Sequence, residues 1–228
     1  MKTSHALLPH WQDRTLEEKI DRIYGLTQDL YYYVLQNEIK QLDAMLASYR
    51  PFDEKERKDV KTIREMLSEH PNLFNKNCEI GHLTGSALVI DPNRRNLLLH
   101  RHKTLRDKWL QFGGHPEYEL DFSQVAFREA SEESGLSNLY FFPRSEHPIP
   151  VDIDVHTIPA SNGRPEHLHL DLRYILATDF PKNASLDEAE SDELLWISFE
   201  DLEKYNANLD YPLRRLILKA SKLLKIES

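Results

Sequence analysis

Apolar residues recur at helical spacing from residue 15 to residue 49, after an irregular lead-in over residues 1–14. Between Thr15 and Tyr49 charged residues separate them, and the apolar stripe comprises Leu16, Ile20, Ile23, Leu30, Val34, Leu42 and Leu46. Thr15 and Glu18 have the spacing of a capping box at a helix start, and Pro51 ends the segment. Because Gly25 interrupts the stripe, the pattern fits either one long helix or two.

A second helix is predicted from about Asp53 to His70, where Pro71 closes it. These helices lie within residues 1–76, which we expect to form an N-terminal extension to a domain of residues 77–228. No Gly- or Ser-rich linker separates the two parts. The extension is therefore expected to pack on the following domain or on a second copy of the chain, and the long amphipathic helix favours a homodimer.

Short strands replace the helical pattern after residue 79. His82–Ile90 and Asn96–His100 are predicted strands joined by a turn at Asp91-Pro92-Asn93. Trp109–Phe112 predicts a third strand, which leads into the paired glycines 113 and 114. Near the end, a strand is predicted from Glu193, and an amphipathic helix is predicted over residues 211–225.

Two further segments alternate strictly between polar and apolar residues. Residues 151–157 read VDIDVHT and residues 167–173 read HLHLDLR, which predicts an antiparallel hairpin with one face of histidine and aspartate. The polar positions are Asp152, Asp154, His156, His167, His169 and Asp171. Imidazole and carboxylate together favour a second, transition-metal site or hydrogen bonds to a substrate, and His115 is a candidate for the same site. The alternative is a sheet with one solvated face.

The residues after the paired glycine predict a helix with an acidic face. Asp121 and Gln124 fit a capping box, and Gly135 fits a C-terminal stop. Three carboxylates share one face of this helix at positions i, i+3 and i+4: Glu129, Glu132 and Glu133. Like charges so placed cost roughly 0.2–0.5 kcal/mol per pair, so the cluster needs either solvent or a cation.

The stretch from Gly113 to Leu136 resembles the Nudix box, G-x5-E-x7-R-E-U-x-E-E-x-G-U, in which U is a bulky aliphatic residue. Gly114 opens the box, and the residues that fall on their positions are Arg128, Glu129, Glu132, Glu133, Gly135 and Leu136. Leu120 stands where the first glutamate belongs, between Glu119 and Asp121, and Ala130 stands where a larger aliphatic residue is usual. The absence of this glutamate affects how many metal ions the box is expected to bind and how tightly it is expected to bind them.

The resemblance implies an α/β fold, a Nudix-type α/β/α sandwich with a mixed sheet, preceded by the helical extension. It implies hydrolysis of a diphosphate linkage in a nucleoside diphosphate joined to another group, with Mg²⁺ or Mn²⁺ as cofactor. The implied metal ligands are Glu129, Glu132, Glu133 and Gly113. Arg128 is expected to hold the glutamates in place, and the general base is expected to be Glu132, Glu133 or the later Glu190, with Glu193 as a further candidate.

Basic residues near the box are candidates for binding substrate phosphates: Arg101, Lys103, Arg106 and Arg173. A solvated basic loop before the box is the alternative. Two other functions remain open at this stage: a Nudix-fold nucleotide-binding module without turnover, which Leu120 favours, and isomerisation of an isoprenoid diphosphate. For the latter, the single Cys78 is weak support.

Composition narrows the class of protein. The 228 residues are 40% hydrophobic and 29% charged, as in ordinary globular proteins. A net charge of −9 argues against duplex nucleic acid as a partner, because such binding needs Lys and Arg to neutralise phosphates. A single cysteine fits a reducing compartment, and no apolar run is long enough for a signal peptide or a membrane span. We therefore expect a cytoplasmic protein with no membrane partner.

Overall fold

The computed structural model describes residues 15–103, 108–161, 163–186 and 191–226. The chain divides into two compact units, residues 1–42 and residues 43–228. The boundary between residues 76 and 77 and the homodimer stay predictions.

Helix α1 spans Leu16–Ser48. The Thr15 backbone N–H donates to the Glu18 carboxylate at 2.8 Å, and the Glu18 N–H donates to Thr15 Oγ1 at 3.2 Å, which confirms the predicted capping box. Gly25 lies inside the helix and does not break it, so one long helix forms. The first unit exposes a row of large apolar side chains, among them Leu16, Ile20, Ile23, Leu30, Tyr31 and Tyr33.

Helix α2 spans Glu54–Glu69. The Asp53 carboxylate accepts a hydrogen bond from the Glu56 N–H at 2.7 Å, so Asp53 caps the helix close to its predicted start. The buried side of α2 carries Val60, Ile63 and Leu67, and the helix packs on the strand Asp152–Ile158. A short 3₁₀ turn over Pro71–Phe74 follows.

Eight strands of the described residues form one mixed sheet. They are β1 Gly81–Asp91, β2 Asn96–His102, β3 Trp109–Leu110, β4 Phe112–Gly114, β5 Leu139–Phe141, β6 Asp152–Ile158, β7 His167–Thr178 and β8 Ser191–Ser198. The strand order is β3-β2-β1-β7-β5, with β4 paired to β1, β6 to β7 and β8 to β2. Only the β1–β7 pair is parallel among the pairs of these described strands. The predicted third strand is two short strands, because β3 pairs with β2 whereas β4 pairs with β1.

Helices cover both faces of the sheet. Helix α3, Phe122–Ser134, packs so closely on Gly85 of β1 that a Cβ there would lie 2.5 Å from the Phe122 carbonyl oxygen. A 3₁₀ segment, Phe199–Asn208, precedes helix α4, Tyr211–Leu223. Helix α4 buries its apolar side in a cluster that includes Leu88, Ile90, Leu213, Leu216 and Ile217. The predicted α/β sandwich with a mixed sheet is confirmed.

Candidate functional site

Helix α3 begins and ends where its sequence predicts. The Asp121 side chain accepts a hydrogen bond from the Ser123 N–H at 2.9 Å. At the other end, Gly135 has φ of 66°, a left-handed conformation that glycine adopts without strain. These two caps determine how the acidic side chains of α3 are presented to β4.

Arg128 lies at the centre of the acidic face of α3. Its guanidinium donates to Glu119 at 2.6 Å, to Glu129 at 3.0 Å and to Glu132 at 3.2 Å. It also donates to the His115 carbonyl oxygen at 2.8 Å. Charge-assisted bonds of this kind are short and directional, so Arg128 connects the helix to the segment that follows β4.

Glu119, the residue before Leu120, places a carboxylate against Arg128. It reaches Arg128 from one position earlier in the chain. Burial would raise the pKa of Glu119, but the hydrogen bond from Arg128 lowers that pKa to about 2. The departure from the box therefore leaves the arginine with a charged partner from this loop.

The paired glycines let β4 approach α3. The Gly113 N–H donates to the Glu133 carboxylate at 3.3 Å, and Glu133 is buried. A Cβ on Gly114 would collide with the Glu129 carboxylate. Burial raises the pKa of Glu129, and the Arg128 charge opposes that shift. Two of the three carboxylates thus lie against the backbone of β4, whereas Glu132 is more exposed.

Polar side chains form three rows across β1, β7 and β6. The register aligns His82 with His169 and His156, then Thr84 with Asp171 and Asp154, and then Ser86 with Arg173 and Asp152. Residues directly opposite one another share a face, so the predicted pairing of the two histidine- and aspartate-bearing strands is confirmed. The first row collects imidazoles, and the other two collect mainly aspartate and arginine.

The predicted phosphate ligand Arg173 is buried inside this sheet face. Its guanidinium donates to Asp171 at 2.8 Å and to Asp154 at 3.0 Å, with Asp152 at 3.8 Å. Nearby charges raise the pKa of Arg173 against the opposing effect of burial. Arg173 therefore neutralises buried aspartates within the protein, and the structure does not present it to a phosphate.

The three aspartates are held by other residues as well. Thr84 and Ser86 donate to Asp171 at 3.0 and 2.7 Å, and Lys55 of α2 pairs with Asp154. From α4, Arg215 donates to Asp152 at 2.7 and 3.0 Å, and Lys219 lies 2.8 Å from the same carboxylate. Burial would raise the pKa of Asp154, but its cationic partners hold that pKa well below its usual range. These carboxylates form a buried charge network with α2 and α4, and Asp154 also contacts the His156 imidazole at 3.0 Å.

Five imidazoles gather at the other end of the same face: His82, His115, His156, His167 and His169. The ligand nitrogens of three of them, His82, His115 and His169, all lie within 4.8 Å of one another. Burial lowers the pKa of His82 to about 4, of His115 to about 4 and of His169 to about 2, so these rings are neutral at pH 7. His82 is the member that the hairpin pattern missed.

Two further predicted residues, Arg101 and Lys103, lie at or just after the end of β2. Arg101 pairs with Glu193 at 3.1 Å, and both side chains are partly exposed. Lys103 is exposed. Arg106 and Glu190 lie outside the described residues.

The family model described as NUDIX domain matches residues 82–217, more than half of the chain. The chain therefore belongs to the Nudix family. It is a hydrolase that acts on phosphoanhydride bonds. The family match includes the box from Gly114 to Leu136 and confirms the predicted membership of the Nudix family.

Similar solved structures include a Nudix-family hydrolase from Clostridium perfringens, with 23% identity over 64% of this chain and 97% of that chain, and a TM-score of 0.45. An Ap4A hydrolase binary complex from C. elegans shows 19% identity over 63% of this chain and 97% of that chain, with a TM-score of 0.44. An E. coli dihydroneopterin triphosphate pyrophosphohydrolase shows 14% identity over 64% of this chain and 96% of that chain, with a TM-score of 0.46. A comparison with curated proteins finds no match.

Among the helices that the structure describes, none combines the length and apolar character needed to cross a membrane. The cytoplasmic location stays a prediction.

Proposed function

We propose that the protein hydrolyses a diphosphate linkage in a nucleoside diphosphate joined to a second group, with Mg²⁺ or Mn²⁺ bound at α3. The observation that carries the proposal is the placement of Glu129 and Glu133 beside the paired glycines of β4, with Glu132 bonded to Arg128 on the same helix face. A small anionic substrate is consistent with the net charge of −9, because a bound cation reverses the local sign.

The chemistry of these side chains fits a hard divalent cation. Mg²⁺ and Mn²⁺ prefer oxygen ligands, and Glu129, Glu132 and Glu133 offer six carboxylate oxygens on one helix face. The proposed ligands are these three glutamates with the Gly113 backbone. When bound, the cation would offset the charge of the phosphate oxygens and make a water molecule more acidic.

The protein side chains have separate tasks in this proposal. Arg128 orients Glu129 and Glu132 through hydrogen bonds of 3.0 and 3.2 Å. Glu132 or Glu133 would accept the proton from the attacking water, with Glu190 as a further candidate for that role. Arg101 and Lys103 remain proposed phosphate contacts, with Arg106 alongside them in sequence.

The first experiment is a panel of nucleoside diphosphate derivatives incubated with Mg²⁺, Mn²⁺ or Zn²⁺, with a chelator as control. We expect phosphate-containing products from one class of substrate only when a divalent cation is present. The competing function is a nucleotide-binding module without turnover. Tight, metal-dependent binding of a nucleotide with no cleavage across the panel would replace the hydrolase proposal with that function.

The two glycines of β4 are expected to respond differently to alanine. A Cβ on Gly114 meets the mobile end of Glu129, so Gly114→Ala should displace that carboxylate and lower kcat/KM by about tenfold or more at little cost in stability. A Cβ on Gly113 meets the Ser86 Cα at 2.7 Å, so Gly113→Ala should lower the free energy of unfolding by about 1–3 kcal/mol. Steady-state kinetics and urea denaturation of both variants test this contrast. Equal activity of Gly114→Ala and the wild type would contradict it.

A further inference from the structure

A second cluster of potential metal ligands lies on the sheet face opposite α3. Gly114 pairs with Gly85, and both lie against α3. His115 is the next residue along the chain, and its ring lies 4.9 Å from that of His82 on the other face. The glutamates of α3 and the imidazoles are thus separated by the sheet and connected through the backbone of residues 113–115.

We propose that His82, His115 and His169 form a binding site for a transition-metal ion of the Zn²⁺ type, distinct from the carboxylate site on α3. The His115 and His169 Nε2 atoms lie 3.4 Å apart. Two nitrogens that bind one tetrahedral Zn²⁺ at its usual bond length are separated by about 3.3 Å. The spacing of His115 and His169 therefore matches a shared ion, and a ligand nitrogen of His82 lies within 4.8 Å of both.

His82 provides an independent observation. His82 is 1% exposed, and neither of its ring nitrogens makes a hydrogen bond of normal distance and angle to the described residues, although the Cys78 backbone lies close enough to influence its pKa. Buried polar atoms without a partner are uncommon in proteins and cost stability. An ion held between His82, His115 and His169 satisfies one of these nitrogens and uses the lone pairs of neutral imidazoles.

The surrounding rings have partners of their own. The His156 Nδ1 lies 3.0 Å from Asp154, and the His167 Nδ1 lies 2.9 Å from the Pro165 carbonyl oxygen. These two rings pack against His169 with centroids 5.4 Å away. They enclose the three-histidine site, and the position of its fourth ligand is left to water or a substrate atom.

The ligand set selects the class of metal. Three neutral nitrogens suit Zn²⁺ and similar ions, whereas Mg²⁺ prefers oxygen. The site joins β1, β7 and the segment after β4, which are separated along the chain. Binding of an ion there is expected to stabilise the folded chain, because the unfolded chain does not bring His82, His115 and His169 together.

The test uses the full chain, stripped with a chelator and then titrated with Zn²⁺ in excess Mg²⁺, so that Mg²⁺ competes at the carboxylate site. We expect one tightly bound Zn²⁺ per chain by elemental analysis. We also expect a rise in Tm of about 5–10 °C at a hundredfold excess over the dissociation constant. The Glu132→Gln variant should keep both effects, so the result does not depend on hydrolysis.

His82→Phe is the decisive variant, because it keeps a ring of similar size and removes two unpartnered nitrogens. Its metal-free Tm should equal or exceed that of the wild type, and the rise in Tm with Zn²⁺ should be lost. His169→Gln should also lose the bound ion, and exposed His147→Gln should retain it. Zn²⁺ binding that survives in both His82→Phe and His169→Gln, or disappears in Glu132→Gln, would overturn the proposal.

Discussion

Glu132→Gln is expected to lower kcat/KM by at least about 100-fold, because a cation that stabilises charge in the transition state contributes several kcal/mol. The Glu132 side chain is 58% exposed and accepts a hydrogen bond from Arg128 at 3.2 Å. The glutamine side chain of the variant has the same shape, so the substitution should leave the fold intact. The measurement is steady-state hydrolysis of the best substrate of the panel over a range of Mg²⁺ concentrations.

Glu203→Gln is the matched control, since it removes the same charge from an exposed position in the 3₁₀ segment before α4. That variant should turn over substrate like the wild type. Thermal denaturation of both variants separates lost chemistry from lost structure. Wild-type turnover by Glu132→Gln would remove Glu132 from the proposed metal site.

Arg215→Met is expected to lower the free energy of unfolding by about 3–5 kcal/mol, the usual cost of removing one partner from a buried ion pair. Arg215 is buried, donates twice to Asp152 and donates to the Ile153 carbonyl oxygen at 2.7 Å. Methionine fills similar volume but leaves the Asp152 charge with fewer partners. Chemical denaturation followed by circular dichroism gives the difference.

Arg57→Met provides the comparison. Arg57 pairs with Glu54 at 3.3 Å on the surface of α2, where the two side chains are 70% and 68% exposed. Exposed pairs contribute little, so this variant should change the free energy of unfolding by less than about 0.5 kcal/mol. Equal effects of Arg57→Met and Arg215→Met would show that the buried network does not stabilise the fold.

The elements with strong periodicity could be predicted from the sequence. The bounds of α2 follow from Asp53 and Pro71, and those of α3 follow from Asp121 and Gly135, because caps and breakers act locally. The pairing of β6 with β7 also follows from local alternation. Gly25 is different: its cost within α1 is only about 1 kcal/mol relative to alanine, which a long helix tolerates.

The composition of the imidazole cluster could not be predicted from the hairpin alone. His82 joins the cluster because β1 pairs in parallel with β7, which places His82 beside His169. These two residues are far apart in the sequence, so no local pattern connects them. The alternation of His82, Thr84 and Ser86 within β1 was the available signal. Likewise, the partner of Asp152 could not be predicted, because Arg215 reaches it from a helix near the end of the sequence.

The buried charge network also bears on the order in which the chain is completed during synthesis. Glu56 is buried and pairs with Lys219, which comes 163 positions later. At about 5–20 residues per second, a ribosome needs roughly 10–30 s to add that interval. Throughout this time Glu56 lacks the Lys219 cation, even once its partner on β6 has been added, so the buried network is completed only after α4 has emerged.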